Sequence, residues 1–509
     1  MNALGELTSQ VAVPEPQSPK RLSWVRVPAR TRVLLISAAV LIPCFWHSRI
    51  QAGDLSSHLY NAWLADLIGQ GKAPGLAIVS QRTNVLFDWI IAALIKHLGV
   101  AAAEHIAVPL VVLVFFWGAF AMVSSMSGTR PWYILTFLAM LSYGWVFHMG
   151  FMNFYLALGL CFWAVALLWK PTWSSGAGAV LLLGTAWLAH ALPVAWAVGA
   201  LAYMWIARRI LPRDRIFLLL FTLVALVFGR HFILTHLATR WSADQAVSMT
   251  GADQISVFSS KYYPLEVILL GVWLSLFLGL LDKEGEEQVL CGIPFQLCAI
   301  LAACVLLLPG SVLLPGHDHA LRFVSERMSL IVAVTVCVLL GRTAPVAHEK
   351  TTIAVLMGLF FSFLYVDTRA LNHVEDLMEQ SVAQLPPNAR VVSALCDERK
   401  YVNLVGHTLD RVCIGRCYSY ANHEPPSGAF RIRTTAPNPV VAAEQRDSDA
   451  LQEGTYVVKP GDEPIYQLYL RGNYLDMRQL KAGDVTGSTC FESTPSPGSA
   501  FHVRIPGSN

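Results

Sequence analysis

The amino-acid sequence is dominated by a succession of long apolar runs. A bilayer of about 30 Å is crossed by a helix of roughly 17 to 25 apolar residues, and eleven runs approach that length. Hydrophobic residues make up 55% of the 509 residues, and charged residues only 14%. We therefore predict a polytopic α-helical membrane protein with about 11 transmembrane helices. This excludes a disordered chain, a disulfide miniprotein, a nucleic-acid-binding module and a cytosolic enzyme.

Charged residues are distributed unevenly along the chain. Of the 37 basic and 34 acidic residues, 33 lie from Val33 to Val366 and 31 lie after Val366. We predict a basic cytoplasmic tail at 1–32, a transmembrane domain at 33–366 and a small soluble α/β domain at 367–509. The net charge of +3 is close to balanced for this length and does not discriminate between partners.

The basic residues beside the apolar runs predict the side of the membrane on which each loop lies. Five of them precede the first run and four separate the sixth run from the seventh, so both segments are expected in the cytoplasm. The soluble domain is then extracytoplasmic, and the plasma (inner) membrane is the expected location. A cleaved signal peptide is the alternative for the first run. The predicted crossings are 33–46, 105–126, 132–147, 151–169, 176–189, 192–207, 216–235, 264–281, 289–309, 328–341 and 351–366.

The first outer loop is expected to carry two helices that lie on the membrane surface. From Tyr60, apolar residues recur with a helical period, and polar residues occupy the other side. The segment Val85 to Leu98 would break the count of crossings if it were a span. Its polar residues Asn84, Asp88 and Lys96 form about one helical stripe, which is typical of an interfacial helix.

Asp54 and His58 are the leading candidates for chemistry in that loop. They are four residues apart, about one helical turn, so both side chains could point towards one site above the membrane. Two simpler interpretations remain open at this point. Asp54 could act only as an N-cap of the helix, and His58 could be a solvated residue on its surface.

The other outer segments supply candidates for binding a substrate. Arg322 and Arg327 in the last outer loop suit phosphate oxygens, because a guanidinium donates hydrogen bonds in a fork. Alternatively, Arg322 pairs with Glu326 at i, i+4, and Arg327 extends to lipid headgroups. Polar residues at the outer ends of spans usually face a cavity. The remaining substrate-binding candidates are Arg82, Asp88, His148, Asn153 and His190.

Four of the ten cysteines lie in the predicted soluble domain. An even number in an extracytoplasmic domain favours one or two disulfides, and the candidates are Cys396, Cys413, Cys417 and Cys490. A zinc site at the Cys-x3-Cys spacing is the alternative, although no second matching pair follows. The remaining cysteines lie in or at apolar runs, where a thiol behaves as a small hydrophobe.

The layout resembles the GT-C superfamily of membrane glycosyltransferases, which includes protein O-mannosyltransferases and the aminoarabinose transferases of lipid A. The shared features are a short basic amino terminus, one span, an immediate outer Asp (Asp54), an interfacial helix ending in Gly-x-x-Pro, a second interfacial helix, many spans and an outer soluble domain. The likeness covers about residues 1–366. It implies that Asp54 is the catalytic carboxylate. It also implies that a sugar moves from a polyprenyl-phosphate donor to a glycan, lipid or protein acceptor at the outer membrane surface, among membrane lipids.

The chain departs from the superfamily pattern at several positions. The next outer loop, 147–155, has no carboxylate, and neither of these two loops contains Asp-x-Asp. We therefore predict no cofactor, while His317, Asp318 and His319 leave a divalent metal as an open alternative. A single base suffices chemically, because the phosphate is a good leaving group and only the acceptor hydroxyl must lose a proton. The alternatives to a transferase are a transporter and a protein that binds a lipid-linked glycan without transferring it.

Overall fold

A computed structural model describes residues 28–313, 315, 320–397, 402, 405–471, 474–491 and 502–503. Contacts divide the chain into two units, residues 1–40 and residues 41–509. In the first unit, the described helix is α1 (Ala29–Val40). The second unit combines a large set of apolar helices with a small region of β-sheet near the carboxyl terminus. The molecule is therefore mostly helical, as the apolar runs predict.

The helices and short strands that precede the sheet region follow the apolar runs closely. In chain order they are α2 (Gly53–Gly69), β1 (Leu76–Ile78), α3 (Leu86–Leu98), α4 (Val100–Ser127), α5 (Ile134–Ser142), α6 (Trp145–His148), α7 (Met152–Leu168), α8 (Trp173–Ala189), α9 (Ala191–Ala207), α10 (Arg215–His236), β2 (Ala238–Arg240), α11 (Gln245–Ser248), α12 (Tyr263–Glu284), α13 (Glu286–Leu290), α14 (Ile293–Leu307), β3 (Ser311–Leu313), α15 (Val324–Leu340) and α16 (Ala347–Val382).

Several of these helices identify a membrane protein. In the described part of the chain, four are long and apolar enough to cross a bilayer: Val100–Ser127, Pro212–His236, Ser260–Glu284 and Ala347–Val382. Five further apolar helices are shorter. Each of the eleven predicted runs overlaps a described helix, but the number that qualifies by length and composition is smaller than eleven.

Helix α16 differs from the prediction at the proposed domain boundary. The sequence predicts a span that ends at Val366 and a separate amphipathic helix after Asp367. The structure shows one continuous helix of 36 residues. No proline or glycine lies between the two segments, so nothing in the local sequence interrupts the helix. The boundary at residue 366 therefore falls inside a helix.

Two glycines allow α4 and α7 to pack closely. A Cβ atom placed on Gly118 would lie 2.5 Å from the carbonyl oxygen of Gly159, and one placed on Gly159 would lie 2.7 Å from the Cα of Phe115. Small residues that let helix backbones approach are the usual solution in apolar surroundings. This contact fixes α7, which begins next to the candidate site.

The sheet region contains a five-stranded mixed sheet. Its strand order is β11-β9-β8-β4-β6, with β4 parallel to both β6 and β8, and β8 antiparallel to β9. Val392, Leu451, Ile465 and Leu480 are fully buried in its core. In chain order, the described helices and strands of the whole sheet region are β4 (Ala389–Ser393), β5 (Leu395–Asp397), α17 (Val405–Cys413), β6 (Cys417–Ser419), β7 (Ile432–Thr434), α18 (Gln445–Glu453), β8 (Ile465–Arg471), β9 (Tyr474–Leu480), β10 (Thr489–Phe491) and β11 (His502–Val503).

The sheet region is joined to the loop that follows α2. Strand β1 pairs antiparallel with β7, so that Leu76 lies opposite Thr434 and Ile78 lies opposite Ile432. The backbone amide of Val79 extends this ladder by donating to the carbonyl of Arg431. The sheet region therefore lies directly against the loop that follows α2, the helix that carries Asp54.

A buried charge network reinforces this attachment. Arg411 in α17 donates two hydrogen bonds of 2.7 Å to Glu375 in α16 and one of 2.9 Å to Glu104 in α4. All three side chains are at most 6% exposed. Arg411 also donates to the carbonyl of Ile50, just before α2. One guanidinium thus links the sheet region to two helices and to the approach to the site.

Candidate active site

Asp54 lies in the first turn of α2 with its carboxylate partly exposed. The helix begins at Gly53, and the residue in the N-cap position is Ala52, with no side-chain cap bond. The interpretation of Asp54 as an N-cap is therefore wrong. Its side chain is 36% exposed, whereas the polar residues of the next two turns, Ser56, Ser57, His58 and Asn61, are buried. The carboxylate is consequently free to meet another molecule.

The start of α2 is held by the loop at 148–150. The backbone amide of Asp54 donates to the carbonyl of Met149 at 3.0 Å. Gly150 has a φ of +81°, and a Cβ atom there would lie 2.4 Å from the amide nitrogen of Asp54. Only glycine fits both the backbone conformation and the close approach. The glycine thus fixes the position of the Asp54 backbone.

Gly150→Ala should displace the start of α2 and reduce any activity that depends on Asp54. Misplacing a reacting group by about 1 Å can cost about 10²-fold in rate. Gly71→Ala is the matched control, since Gly71 also has a positive φ but has open space where a Cβ would be. Thermal unfolding and turnover of both variants would be compared. Equal behaviour of the two variants would contradict the proposed role of the close approach.

His58 and Asp88 form a buried pair between α2 and α3. Nδ1 of His58 donates to Asp88 at 2.7 Å, and Asn153 of α7 donates to the other Asp88 oxygen at 2.9 Å. Burial alone lowers the pKa of His58, but the Asp88 charge and hydrogen bond outweigh it and raise the pKa to about 9. His58 is thus not a solvated surface residue. On α3, the side chain of Asp88 is buried and faces His58 and Asn153.

Arg327 supplies a positive charge that acts on Asp54. Its guanidinium lies 3.8 Å from the ring centre of Phe151, and Nη1 lies 3.4 Å from Nε2 of His190. It interacts electrostatically with Asp54. Nε is buried and has no hydrogen-bond acceptor among the described residues. Arg327 as a whole is half-buried, and its contacts with Phe151 and His190 hold the guanidinium against other parts of the protein.

His148 has a structural contact in this region. Its Nδ1 donates to the carbonyl of Gln51 at 2.8 Å, and its ring packs against Phe258. The residue is buried and ties α6 to the approach to α2. Of the predicted residues, the structure thus brings His58, Asp88, His148, Asn153, His190 and Arg327 into one neighbourhood around Asp54.

Other predicted residues lie elsewhere. Arg82 and Arg322 are exposed, and the ion pair that Asp54 makes within the described part of the chain is with His407. Glu326 accepts a hydrogen bond from the hydroxyl of Ser325, and no ion pair with Arg322 forms between these described side chains. His317, Asp318 and His319 lie outside the described residues. Elsewhere in the described part, no group of three or more His, Cys, Asp or Glu side chains has the arrangement of a metal site.

The sheet region contributes site residues that the sequence analysis missed. Nε2 of His407 lies 3.7 Å from Asp54. Glu424 accepts a hydrogen bond of 3.0 Å from Ser57, and the amide of Asn422 donates to Asn61 at 2.8 Å. The polar side of α2 is therefore covered by protein. Nothing local in the sequence connects these residues, which lie about 350 positions from α2.

Glu424 is an unusual carboxyl group in this cluster. Burial raises its pKa, the His58 charge opposes the rise, and the net value is about 8. The nearby Asp88 and Asp54 charges add to the increase. Glu424 can therefore hold a proton near neutral pH, and it keeps the local negative charge lower than a count of carboxyl groups predicts.

Another link in the sheet region is covalent. Cys413 and Cys417 form a disulfide that connects the end of α17 to the start of β6. The cysteine spacing is thus used for a disulfide and not for zinc. Cys396 and Cys490 are register partners on the parallel strands β5 and β10, and their side chains lie outside what the structure describes.

Comparison with known proteins gives no relative from which a function could be transferred. No protein-family model, no curated protein and no solved structure matches the chain. The function must therefore be argued from the residues and their geometry.

Proposed function

We propose that the protein is a GT-C-type glycosyltransferase that moves a sugar from a polyprenyl-phosphate donor to an acceptor. The supporting observation is the partly exposed carboxylate of Asp54, which lies 3.7 Å from the imidazole of His407 and interacts electrostatically with the cation Arg327. A base next to a cationic group is what transfer from a phosphate-linked sugar requires. The sugar and the acceptor class, whether glycan, lipid or protein, are left open by this proposal.

The roles of the two charged groups follow from the chemistry. The acceptor hydroxyl attacks the anomeric carbon and its proton passes to Asp54, while the bond to the phosphate oxygen breaks and its electron pair stays on the phosphate. Arg327 is suited to that phosphate, because its buried Nε lacks an acceptor among the described residues. Arg431 is a further candidate, since its Nη2 is also buried without an acceptor there and its charge acts on Asp88.

The proposal includes a membrane orientation. In it, eleven crossings would leave the amino terminus in the cytoplasm and the sheet region on the extracytoplasmic side of a plasma (inner) membrane. Asp54 then lies near the outer leaflet, where a polyprenyl chain stays in the lipid and its phosphate reaches the site. Surrounding lipids are part of this arrangement, because the apolar helix Pro212–His236 is only 6% buried within the protein.

A protein that binds a lipid-linked glycan without transferring it is the second candidate. It is favoured by the second outer loop, 147–155, which contains no carboxylate. A transporter is less favoured, since the ion pairs His58–Asp88, His407–Asp54 and Arg411–Glu104 lie at the junction with the sheet region and not halfway along the apolar helices.

The test is a transfer assay with the full chain in proteoliposomes. Short-chain polyprenyl phosphates carrying radiolabelled mannose, glucose, arabinose or aminoarabinose would be supplied together with an extract of envelope lipids and proteins. We expect release of free polyprenyl phosphate and a labelled acceptor with at least one donor. Saturable donor binding with no release for any sugar would overturn the transferase and favour the binding protein.

A further inference from the structure

His407 in the sheet region stands between two carboxylates from different parts of the chain. Nε2 lies 3.7 Å from Oδ1 of Asp54, and Nδ1 lies 3.4 Å from Oδ2 of Asp410. The two acidic groups thus face opposite nitrogens of one ring. A positively charged imidazole, which donates from both nitrogens, satisfies this arrangement better than either neutral form.

The residues and the helix that position His407 are themselves held by further contacts. Asp410 lies one helical turn along α17, and its other oxygen accepts a hydrogen bond of 2.5 Å from Ser419 in β6. Helix α17 is anchored by Arg411 to Glu375, and by the disulfide at its carboxyl end. The ring is therefore held in a position set by the sheet region and not by α2.

Two other titratable groups face His407. The ring of His423 lies with its centre 5.4 Å away, and the charge of Glu424 also acts on it. Burial lowers the pKa of His407, but the Asp410 hydrogen bond and the charges of Asp54, Asp410 and Glu424 outweigh burial and raise it to about 9. Below that pH the ring carries its proton.

We propose that His407 is a positioning residue of the active site, whose positively charged ring lies between Asp410 and Asp54 and keeps the Asp54 carboxylate oriented for the acceptor hydroxyl. The inference rests on the proposed transferase function. The sheet region then completes the site by supplying a charge, and does not merely cover it. When the acceptor proton moves to Asp54, the ring retains its own proton and holds the carboxyl group in place.

The first test needs no activity. Diethyl pyrocarbonate reacts only with neutral imidazole, so its rate of reaction with His407 as a function of pH, read by peptide mass spectrometry, reports the protonation of the ring. Exposed His348 is the internal reference. We expect a midpoint near pH 9 for the parent protein. Asp54→Asn and Asp410→Asn should each accelerate modification at pH 7.5 about tenfold, which corresponds to one pH unit.

The second test uses the transfer assay. His407→Gln should lower kcat, because the Asp54 carboxylate loses the charged ring that orients it. It should leave KM for the donor unchanged. His348→Gln is the matched control and should change neither kcat nor KM.

The two tests separate failure of the inference from failure of the function. If Asp54→Asn leaves the modification of His407 unchanged, or if an active His407→Gln enzyme keeps the parent kcat, the positioning role is wrong while the transferase stands. If Asp54→Asn accelerates the modification but no donor is turned over, the charge pairing stands and the transferase function is wrong.

Discussion

Asp54→Asn is expected to abolish sugar transfer while leaving the protein inserted in the membrane. A positioned base typically contributes about 10² to 10⁴ in rate, and asparagine retains the shape of the side chain without accepting a proton. The backbone amide of Asp54 still bonds to Met149, so α2 should keep its position. Initial rates of donor cleavage and acceptor labelling in proteoliposomes would measure the loss.

The same helix offers a control for this prediction. Asp66 lies three turns further along α2, is exposed and accepts a hydrogen bond from Gln70. Asp66→Asn makes the same chemical change away from the site and should retain nearly full activity. Recovery of more than about a tenth of the parent rate by Asp54→Asn would contradict the role of Asp54 as the base.

Much of the helical framework was predictable from hydropathy, because apolar runs have few alternatives to a helix in a bilayer. The exceptions have local physical causes. The run at 132–147 is divided into α5 and α6 by Tyr143 and Gly144. Glycine permits that break, whereas α16 continues past Val366 because its sequence contains no breaker at that point.

The candidate site was predictable only where its residues share one element. The spacing of Asp54 and His58 places them on one helical turn, and the structure retains both in the neighbourhood of the site. Asp88 was assigned to a surface stripe, since periodicity shows that a residue is polar but not what covers it. His407 and Glu424 belong to the sheet region, which pairs with the loop after α2 through β1 and β7. No local sequence pattern predicts a contact between residues so far apart in the chain.

Arg411→Met should destabilise the attachment of the sheet region more than any change at an exposed charge. Removing one member of a buried ion pair leaves the others charged and unpaired, which typically costs about 3 to 5 kcal/mol. Glu375 would keep its contacts with Arg49 and Gln51. Among the described residues, Glu104 would keep one hydrogen bond, from the backbone amide of Ile50. We expect a lower melting temperature in detergent and faster proteolysis after α16.

Arg416→Gln is the control for Arg411→Met. Arg416 follows the same helix, is about half exposed and lies 3.7 Å from a half-exposed Glu379, so its loss should cost at most about 1 kcal/mol. Helix α17 also carries His407, so a less firmly attached α17 should reduce transfer in Arg411→Met as well. The rate of chemical modification of His407 should then approach that of exposed His348. If Arg411→Met matched Arg416→Gln in melting, proteolysis and activity, the buried network would not be what holds this helix above Asp54.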